Sequence, residues 1–195
     1  FRFKRFDLGL IEAQTGPRLA LAPDAWPGLS VHPYGIITGV TLGDKPYLGA
    51  KGAGVSVAMP IANVGYFEPF AEVRKRQFSN TPDFVNGAEQ TGRIWVSGAA
   101  ATGDLLAPDL HWQARLTYAV ASTRRDYANY NQVAFDVGFP IEFTGVWGNR
   151  RWLVTPFAGV SKTTYGAPNA FGDPLVRRKE CEVRGGVQID LPVWE

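Results

Sequence analysis

The sequence is poor in the residues that build disulfides, metal sites and catalytic triads. Its 195 residues include one cysteine, Cys181, and two histidines, His32 and His111. One cysteine cannot form an intrachain disulfide. Together with two distant histidines it cannot supply the four ligands of a standard zinc site. We therefore predict no disulfide, no metal site and no cofactor.

Other absences limit the class of protein. The sequence has no run of about 18 apolar residues, which excludes a transmembrane helix, and helical periodicity is almost absent. The net charge is only +2, so it does not indicate a nucleic-acid partner. Hydrophobic residues make up 45% of the chain, too many for a disordered polypeptide. The sequence shows no linker, and we predict a single domain over residues 1–195.

Strict alternation of apolar and polar residues is widespread and predicts β-strands. The clearest case is 133–143, where every odd position is apolar and the even positions include Asp136 and Glu142. The same period marks 66–74, 112–120 and 181–193, and weaker strands are predicted at about 3–21, 31–42, 47–59, 91–103 and 151–165. The first weak strand changes phase near Gly9–Glu12, which predicts a β-bulge there.

The length of these strands favours a membrane barrel. Many exceed the ~10 residues with which a tilted strand crosses a bilayer. Compact connections are predicted at 23–28, 60–65, 106–110 and 145–150, and long polar loops at 79–90 and 166–175. Short turns at one rim and long loops at the other are typical of outer-membrane barrels. The predicted fold is all-β: an antiparallel up-and-down transmembrane β-barrel with about nine strands in this sequence.

Nine strands cannot close an up-and-down antiparallel barrel, and bacterial barrels usually have an even number. We therefore expect this chain to be part of a barrel of 10–12 strands or more. The remaining strands are expected before Phe1, after Glu195, or at both ends.

The polar positions of the strands carry charges in mid-strand, which suits a hydrated or ion-paired lumen. The apolar positions are expected to face lipid. The predicted lumen-lining residues are Glu68, Glu72, Arg74, Arg115, Asp136, Glu142, Glu182 and Arg184. Carboxylates on this face neighbour arginines, as in Glu72/Arg74 and Glu182/Arg184, which predicts ion pairs rather than acid–base catalysis.

Aromatic and basic residues collect near the predicted strand ends. Two aromatic belts are predicted at the membrane interfaces, Trp26, Tyr34, Trp112, Trp152 and Trp194 beside the compact turns and Phe78, Tyr127, Tyr130, Tyr165 and Phe171 at the other rim. Basic clusters also fall at the long-loop rim. Their predicted contacts with outer-leaflet phosphates, as in lipopolysaccharide, are Arg5, Lys75, Arg124, Arg177 and Lys179. The alternative is that these cations are simply solvated.

Prolines are the main argument for a different fold. Pro69, Pro140, Pro156 and Pro192 fall inside predicted strands, where each removes a hydrogen-bond donor. They mark bulges or strand ends in a barrel. Otherwise they favour a soluble β-sandwich or lipocalin-like binding module, whose interior would be the apolar face.

Three segments resemble the barrel region of proteobacterial outer-membrane proteins. They are RFDLGLIEAQTGPR at 5–18, VGFPIEF at 137–143 and TPFAGVSKTTYGAPN at 155–169. Such barrels often follow a periplasmic tetratricopeptide-repeat domain, as in surface-lipoprotein assembly modifiers. The resemblance covers most of the chain and carries no catalytic residues. It implies an outer-membrane location and a role in export or surface assembly.

The function expected from the sequence is a non-enzymatic outer-membrane barrel. It would serve as a conduit or anchor for export, surface assembly or envelope structure, in contact with membrane lipids, lipopolysaccharide and other envelope proteins or an attached periplasmic domain. A lipid-modifying enzyme is the third alternative. Both histidines are predicted beside compact turns, whereas Ser122 and Ser161 lie towards the other rim, so no catalytic residue is assigned.

Overall fold

The computed structural model describes residues 8–43, 45–61, 65–81, 85–104, 111–144, 151–168 and 175–190. The strands are β1 (Leu8–Thr15), β2 (Leu19–Ala20), β3 (Ser30–Leu42), β4 (Lys45–Ile61), β5 (Gly65–Phe78), β6 (Gly92–Asp104), β7 (His111–Thr123), β8 (Tyr130–Gly138), β9 (Ile141–Thr144), β10 (Arg151–Tyr165) and β11 (Lys179–Asp190). Short 3-10 helices occupy Gly87–Gln90 and Asp126–Ala128. No helix in the described ranges has the length and apolar character needed to cross a bilayer.

All of these strands belong to one antiparallel sheet. Its strand order is β1-β3-β4-β5-β6-β7-β8-β10-β11, with β2 paired to β3 and β9 paired to β10. Strands that follow one another along this path of nine are therefore neighbours in the sheet. The predicted all-β, antiparallel, up-and-down arrangement of about nine strands is confirmed.

The connections form two rims, as the sequence predicted. The loop rim carries the connections at 43–44, 79–91, 124–129 and 166–178, and the turn rim carries those at 16–29, 62–64, 105–110 and 145–150. Both predicted long polar loops fall on the loop rim, but the longest connection, 16–29, falls on the turn rim, where only short turns were predicted. The connection near Trp26 is longer than the compact turn predicted at 23–28, because it contains β2.

The sheet is curled into a half-barrel. Arg74 on β5 reaches Glu12 on β1, with 2.6 Å between Nη1 and Oε2, although β3 and β4 lie between them. Three strand spacings amount to about 14 Å in a flat sheet. The two side chains meet because the sheet curves towards the face that carries them. We call this the concave face and the opposite one the convex face.

Buried residues lie on the concave face. The apolar residues with the least solvent exposure are Tyr34, Ile36, Ala50, Ala58, Phe70, Ala119, Ala121 and Ala134, and the register assigns every one of them to that face. Most are small because side chains crowd together on the inside of a curled sheet. The convex face carries most of the large exposed apolar residues, such as Ile37 and Leu116, whereas Leu10, Tyr66 and Phe157 are exposed on the concave face.

Glycines on the concave face leave room for long side chains to lie across the sheet. A Cβ on Gly54 would come within 2.6 Å of the Tyr34 ring, and one on Gly159 within 2.2 Å of the Asp136 carboxylate. Gly54 therefore leaves the space that the Tyr34 ring occupies.

The predicted bulge near Gly9–Glu12 is wrong. Strand β1 pairs with β3 in unbroken register from Leu8 to Thr15. The interruption comes later, at Gly16, where an added Cβ would lie 2.0 Å from the carbonyl oxygen of Pro33 on β3. The strand predicted at 3–21 is therefore two strands within the described residues, and residues 3–7 lie outside them.

Two of the strand prolines share one irregularity. Pro140 lies between β8 and β9, and Pro156 lies on β10 where its partner changes from β9 to β8. The Pro156 carbonyl accepts a hydrogen bond from the Phe139 amide at 3.0 Å. Pro69 lies inside β5 and pairs with Ala99 on β6. Pro192 lies outside the described residues.

We predict that Gly54→Ala destabilises the fold by about 1–3 kcal/mol, the usual cost of forcing a group into a filled space. The new methyl group would push the Tyr34 ring away from its position over residue 54. Gly39→Ala is the matched control, because a Cβ there has no neighbour within 4 Å. Urea unfolding of the two variants measures the difference, and an equal midpoint for both would contradict this packing.

Candidate functional site

The two faces of the sheet carry different charges. The register places every Asp and Glu of the described strands on the concave face: Glu12, Glu68, Glu72, Asp104, Asp136, Glu142, Glu180, Glu182 and Asp190. The convex face of the same strands carries none. It does carry cations, among them Lys51, Lys75, Arg93, Lys162 and Lys179.

All eight residues predicted to line a lumen lie on the concave face. The two-residue period therefore assigned the faces of β5, β7, β8, β9 and β11 as the structure has them. The predicted set leaves out four further carboxylates of the same face, Glu12, Asp104, Glu180 and Asp190. Glu12 was left out because the bulge expected near it made its face ambiguous. The face of Asp190 could have been predicted from the alternation of apolar and polar residues in 181–193.

An ion-paired network holds the first strands together on the concave face. The Arg74 guanidinium contacts Glu12 at 2.6 Å and Glu72 at 2.9 Å. The Thr38 hydroxyl donates to Glu12 at 2.8 Å, and the Tyr34 hydroxyl donates to Glu72 at 3.4 Å. Glu72 is 8% exposed, so Arg74 and Tyr34 together satisfy a buried carboxylate.

A second ion pair connects strands at the other end of the sheet. Arg184 on β11 donates from Nε and Nη2 to the two carboxylate oxygens of Asp136 on β8, each at 2.8 Å, and passes over Gly159. The expected pairing of Arg184 with Glu182 is wrong, since Asp136 is the partner. The expected Glu72/Arg74 pair is confirmed. The Arg184–Asp136 and Arg74–Glu12 pairs both join strands that are not neighbours.

An arginine also stacks on an aromatic ring in the middle of the face. The Arg115 guanidinium lies 4.3 Å from the centroid of the Phe70 ring. These two residues lie on β7 and β5, and Gly98 of the strand between them leaves the space. Arg115 therefore adds a third connection across the concave face.

The predicted aromatic belt at the loop rim is wrong. Tyr130 and Tyr165 lie on the concave face with their rings 5.9 Å apart, and the Arg76 guanidinium donates to the Tyr130 hydroxyl at 3.0 Å. Phe78 lies beside Arg76 on the same face, 5.6 Å from its guanidinium. These rings pack against one another and against arginine instead of projecting outwards. Phe171 lies outside the described residues.

Outward-facing aromatic residues lie near the turn rim, in a set that differs from the predicted one. Tyr34 belongs to the concave face, and Trp194 lies outside the described residues. The register directs Phe67, Trp112, Phe143 and Trp152 to the convex face within two residues of the turn rim. Trp26 is exposed in the β1–β3 connection and donates to the carbonyl oxygen of Pro60 at 3.2 Å.

The cations predicted to contact phosphates divide into three groups. Lys75 and Lys179 lie on the convex face and are exposed. Arg124 and Arg177 are exposed in the connections of the loop rim. Arg5 lies outside the described residues.

The neighbouring arginines in the same basic clusters are engaged elsewhere. Arg125 pairs with Glu89 at 3.3 Å. Arg178 pairs with Glu180 at 2.9 Å and stacks on the Tyr165 ring. These two guanidiniums therefore connect loops and strands of this chain.

The histidines are not arranged for nucleophilic catalysis in the described part of the chain. His111 Nδ1 lies 2.7 Å from an Asp104 carboxylate oxygen at the turn rim, and the His32 ring packs near Tyr34. Neither Ser122 nor Ser161 forms a hydrogen bond with a histidine there. No group of three or more metal-binding side chains occurs among the described residues.

Comparison with known proteins assigns no family. No protein-family model matches the sequence, and no curated protein is significantly similar to it. The resemblance to proteobacterial outer-membrane barrels therefore stays a prediction. Function has to be inferred from the arrangement of charged and apolar surface.

We predict that Arg74→Met costs about 3 kcal/mol of folding free energy, because it leaves the buried Glu72 without its cation. Adding Glu72→Gln should recover part of this loss. Arg184→Met is the matched control and should cost about 0–1 kcal/mol, since Arg184 and Asp136 are 40% and 31% exposed. Chemical unfolding of the purified variants gives these values. An equal loss at both positions would contradict the network described above.

The loops carry a separate pH-sensitive contact. Tyr127 donates to Glu89, and Arg125 pairs with the same carboxylate. The Tyr127 hydrogen bond and then the Arg125 charge lower the pKa of Glu89 below its ordinary value of 4.5. A lowered carboxylate pKa means that the contact is stable above pH 4.5 and is lost as the pH falls through the lowered value.

We therefore expect the Tyr127 ring signal in an NMR titration to stay constant from pH 7 to 5 and to change only under more acidic conditions. Glu89→Gln keeps a hydrogen-bond acceptor but cannot titrate, and its Tyr127 signal should show no such transition. A transition at or above the ordinary glutamate pKa would show that this contact does not form.

Proposed function

We propose that this chain forms most of a transmembrane β-barrel of a Gram-negative outer membrane, with lipid on its convex face and a polar lumen on its concave face. We also propose that it has no enzymatic activity. The observation that carries the proposal is the separation of charge, with every carboxylate of the described strands on the concave face and none on the convex face.

The convex face has the character of a lipid-facing surface. Large apolar side chains are exposed along it, including Ile37 at 68%, Trp95 at 60% and Val187 at 60%. Soluble monomers rarely expose a continuous apolar patch of more than a few hundred Å². Hydrocarbon around this face would remove the cost of exposing it to water. The paired strands of the sheet would meanwhile satisfy their own backbone hydrogen bonds.

Strand length and rim composition support the same proposal. Seven strands of the path have 12 or more residues, and a tilted strand needs about 9–11 to cross a bilayer. Outward-facing aromatic residues such as Trp112 and Trp152 lie near the turn rim, where an interfacial belt is expected.

We further propose that additional strands complete the barrel. Within the described residues, β1 pairs only with β3 on the path and β11 only with β10. Because nine antiparallel strands lie on the path, β1 and β11 run in the same direction. Direct pairing between them would be parallel, so an antiparallel closure requires an odd number of further strands. One or three more would give the predicted 10 or 12.

The ion pairs across the concave face favour a role as a conduit or anchor in export, surface assembly or envelope structure. Arg74, Arg115 and Arg184 occupy space that an open pore would leave to water. Narrow barrels are commonly filled by their own side chains in this way. Where the lumen admits ions, its excess of carboxylates would favour cations.

The alternatives fit the faces less well. A lipocalin-like module has an apolar interior, whereas here the concave face carries the carboxylates and the arginines that pair with them. A β-sandwich needs a second sheet over the apolar face, and the described strands form one sheet. A lipid-modifying enzyme needs a nucleophile beside His32 or His111, which the described residues do not supply.

Two substitutions on β7, one on each face of the sheet, test the proposal. Leu116→Arg puts a cation on the convex face, and we expect it to destabilise the barrel in bilayers by about 2–4 kcal/mol. Gln113→Arg puts the same side chain on the concave face, at a position that already holds an exposed long polar side chain, and we expect a cost of less than about 1 kcal/mol. Urea titration of protein folded into vesicles, followed by heat-modifiable gel migration, measures both.

The soluble alternative makes the opposite prediction. Leu116 is already 52% exposed, so in water an arginine there would cost little and would improve solubility. Monodisperse behaviour of the unmodified protein without detergent, with no heat-modifiable form, would reject the membrane barrel.

A further inference from the structure

Three cations lie side by side on the convex face. Lys51 on β4 is directly opposite Lys75 on β5, and Lys75 is directly opposite Arg93 on β6. All three side chains are exposed. We call this row the cationic ladder. Directly opposed residues of neighbouring strands have Cβ atoms about 5 Å apart, and like charges at that distance destabilise a sheet.

The structure provides no counter-ion for the ladder among the described residues. None of its three cations forms an ion pair there, and the convex face of the described strands has no carboxylate. The next residues in the same row are Ile37 on β3 and Ser122 on β7, which are uncharged. The repulsion is therefore not offset by an ion pair within the described part of the chain, and an anion from outside it would offset it.

The ladder marks the boundary of the apolar surface. Towards the turn rim, the next convex residues on the same three strands are Ala53, Val73 and Trp95. Towards the loop rim, Lys75 lies three residues before the end of β5, and Arg93 lies one residue after the start of β6. A ligand of the ladder would therefore meet cations on its anionic part and apolar side chains on its hydrophobic part.

We propose that the cationic ladder binds the phosphates of a phosphorylated glycolipid in the leaflet around the loop rim. This inference rests on the proposed membrane barrel. The row spans two strand spacings, about 10 Å, which suits a headgroup with more than one phosphate. Arg93 can hold a phosphate with two parallel hydrogen bonds, while the lysines act as point charges. The Trp95 ring lies where the headgroup meets the acyl chains.

This site differs from the phosphate contacts predicted from the sequence. Only Lys75 belongs to both sets, and Lys51 and Arg93 are new. Arg124 and Arg177 lie in the connections, and Lys179 begins the edge strand β11, so these three form no row with the ladder. They provide a control set with the same number of cations.

The test compares two triple variants of the full chain folded in detergent micelles. One is Lys51→Gln/Lys75→Gln/Arg93→Gln, and the other is Arg124→Gln/Arg177→Gln/Lys179→Gln. Bisphosphorylated lipid A in mixed micelles is titrated against each, with a dephosphorylated form of the same glycolipid and inorganic pyrophosphate as further probes. We expect the ladder variant to lose at least tenfold in affinity for bisphosphorylated lipid A, and the control variant less than threefold.

Several results would overturn the site. These are an equal loss in both variants, equal binding of the dephosphorylated glycolipid, and competition by pyrophosphate as strong as that of lipid A, which would indicate a site for a soluble anion. If the triple variant fails to fold, Lys75→Gln alone removes the central cation, and we expect it to weaken binding about three- to tenfold. An unchanged affinity in that variant would also reject the site.

A separate measurement distinguishes failure of the site from failure of the proposed function. Folding into phosphatidylcholine vesicles without any phosphorylated glycolipid tests the barrel alone. If the chain inserts into vesicles but its binding of lipid A does not depend on the ladder, the site is rejected and the barrel is retained. If lipid A binding in micelles depends on the ladder but the chain does not insert into vesicles, the barrel is rejected. The assignment of the site to a membrane leaflet is then rejected as well.

Discussion

The contact of Arg74 with both Glu12 and Glu72 requires the sheet to curl, because β3 and β4 separate Glu12 from the other two residues. Once the sheet curls, its two faces differ in available space. The concave face becomes crowded, and its neighbouring positions are therefore filled by glycine, alanine and threonine. Long polar side chains can lie flat over these small residues and pair across non-adjacent strands. The convex face opens outwards and cannot form such pairs.

This difference explains why carboxylates are found on one face only. A carboxylate such as Glu72 is nearly buried, yet an arginine and a tyrosine hydroxyl satisfy it, and removing either one would leave a costly unpaired group. On the convex face the same carboxylate could not pair across non-adjacent strands, because the side chains there diverge. Apolar residues there contact mainly whatever surrounds the protein. Because of the curvature, the two faces differ in polarity and are suited to different surroundings.

Sequence reasoning identified the faces because side-chain direction alternates strictly along a strand. Parity alone placed Glu68, Arg115 and Glu182 correctly. The prediction failed where it used closeness to a strand end instead of this alternation. Tyr34 and Tyr130 were expected at the membrane interfaces, but both lie on the concave face. The partner of Arg184 was also beyond reach, because the pairing with Asp136 depends on the register of three strands and on Gly159 between them. Alternation within one strand contains neither piece of information.

The same parity separates acids from lysines. The sheet is one layer thick, with carboxylates on one side and Lys51, Lys75, Lys162 and Lys179 on the other. A domain with water on both sides gains nothing from such a separation, because mixed signs on each face reduce repulsion and favour solubility. Two different media, as in the proposed barrel, would account for it. A hydrated interior accepts paired charges of both signs, whereas an exterior that is apolar along most of its height accepts charge only at its boundary, where an anionic surface can compensate it.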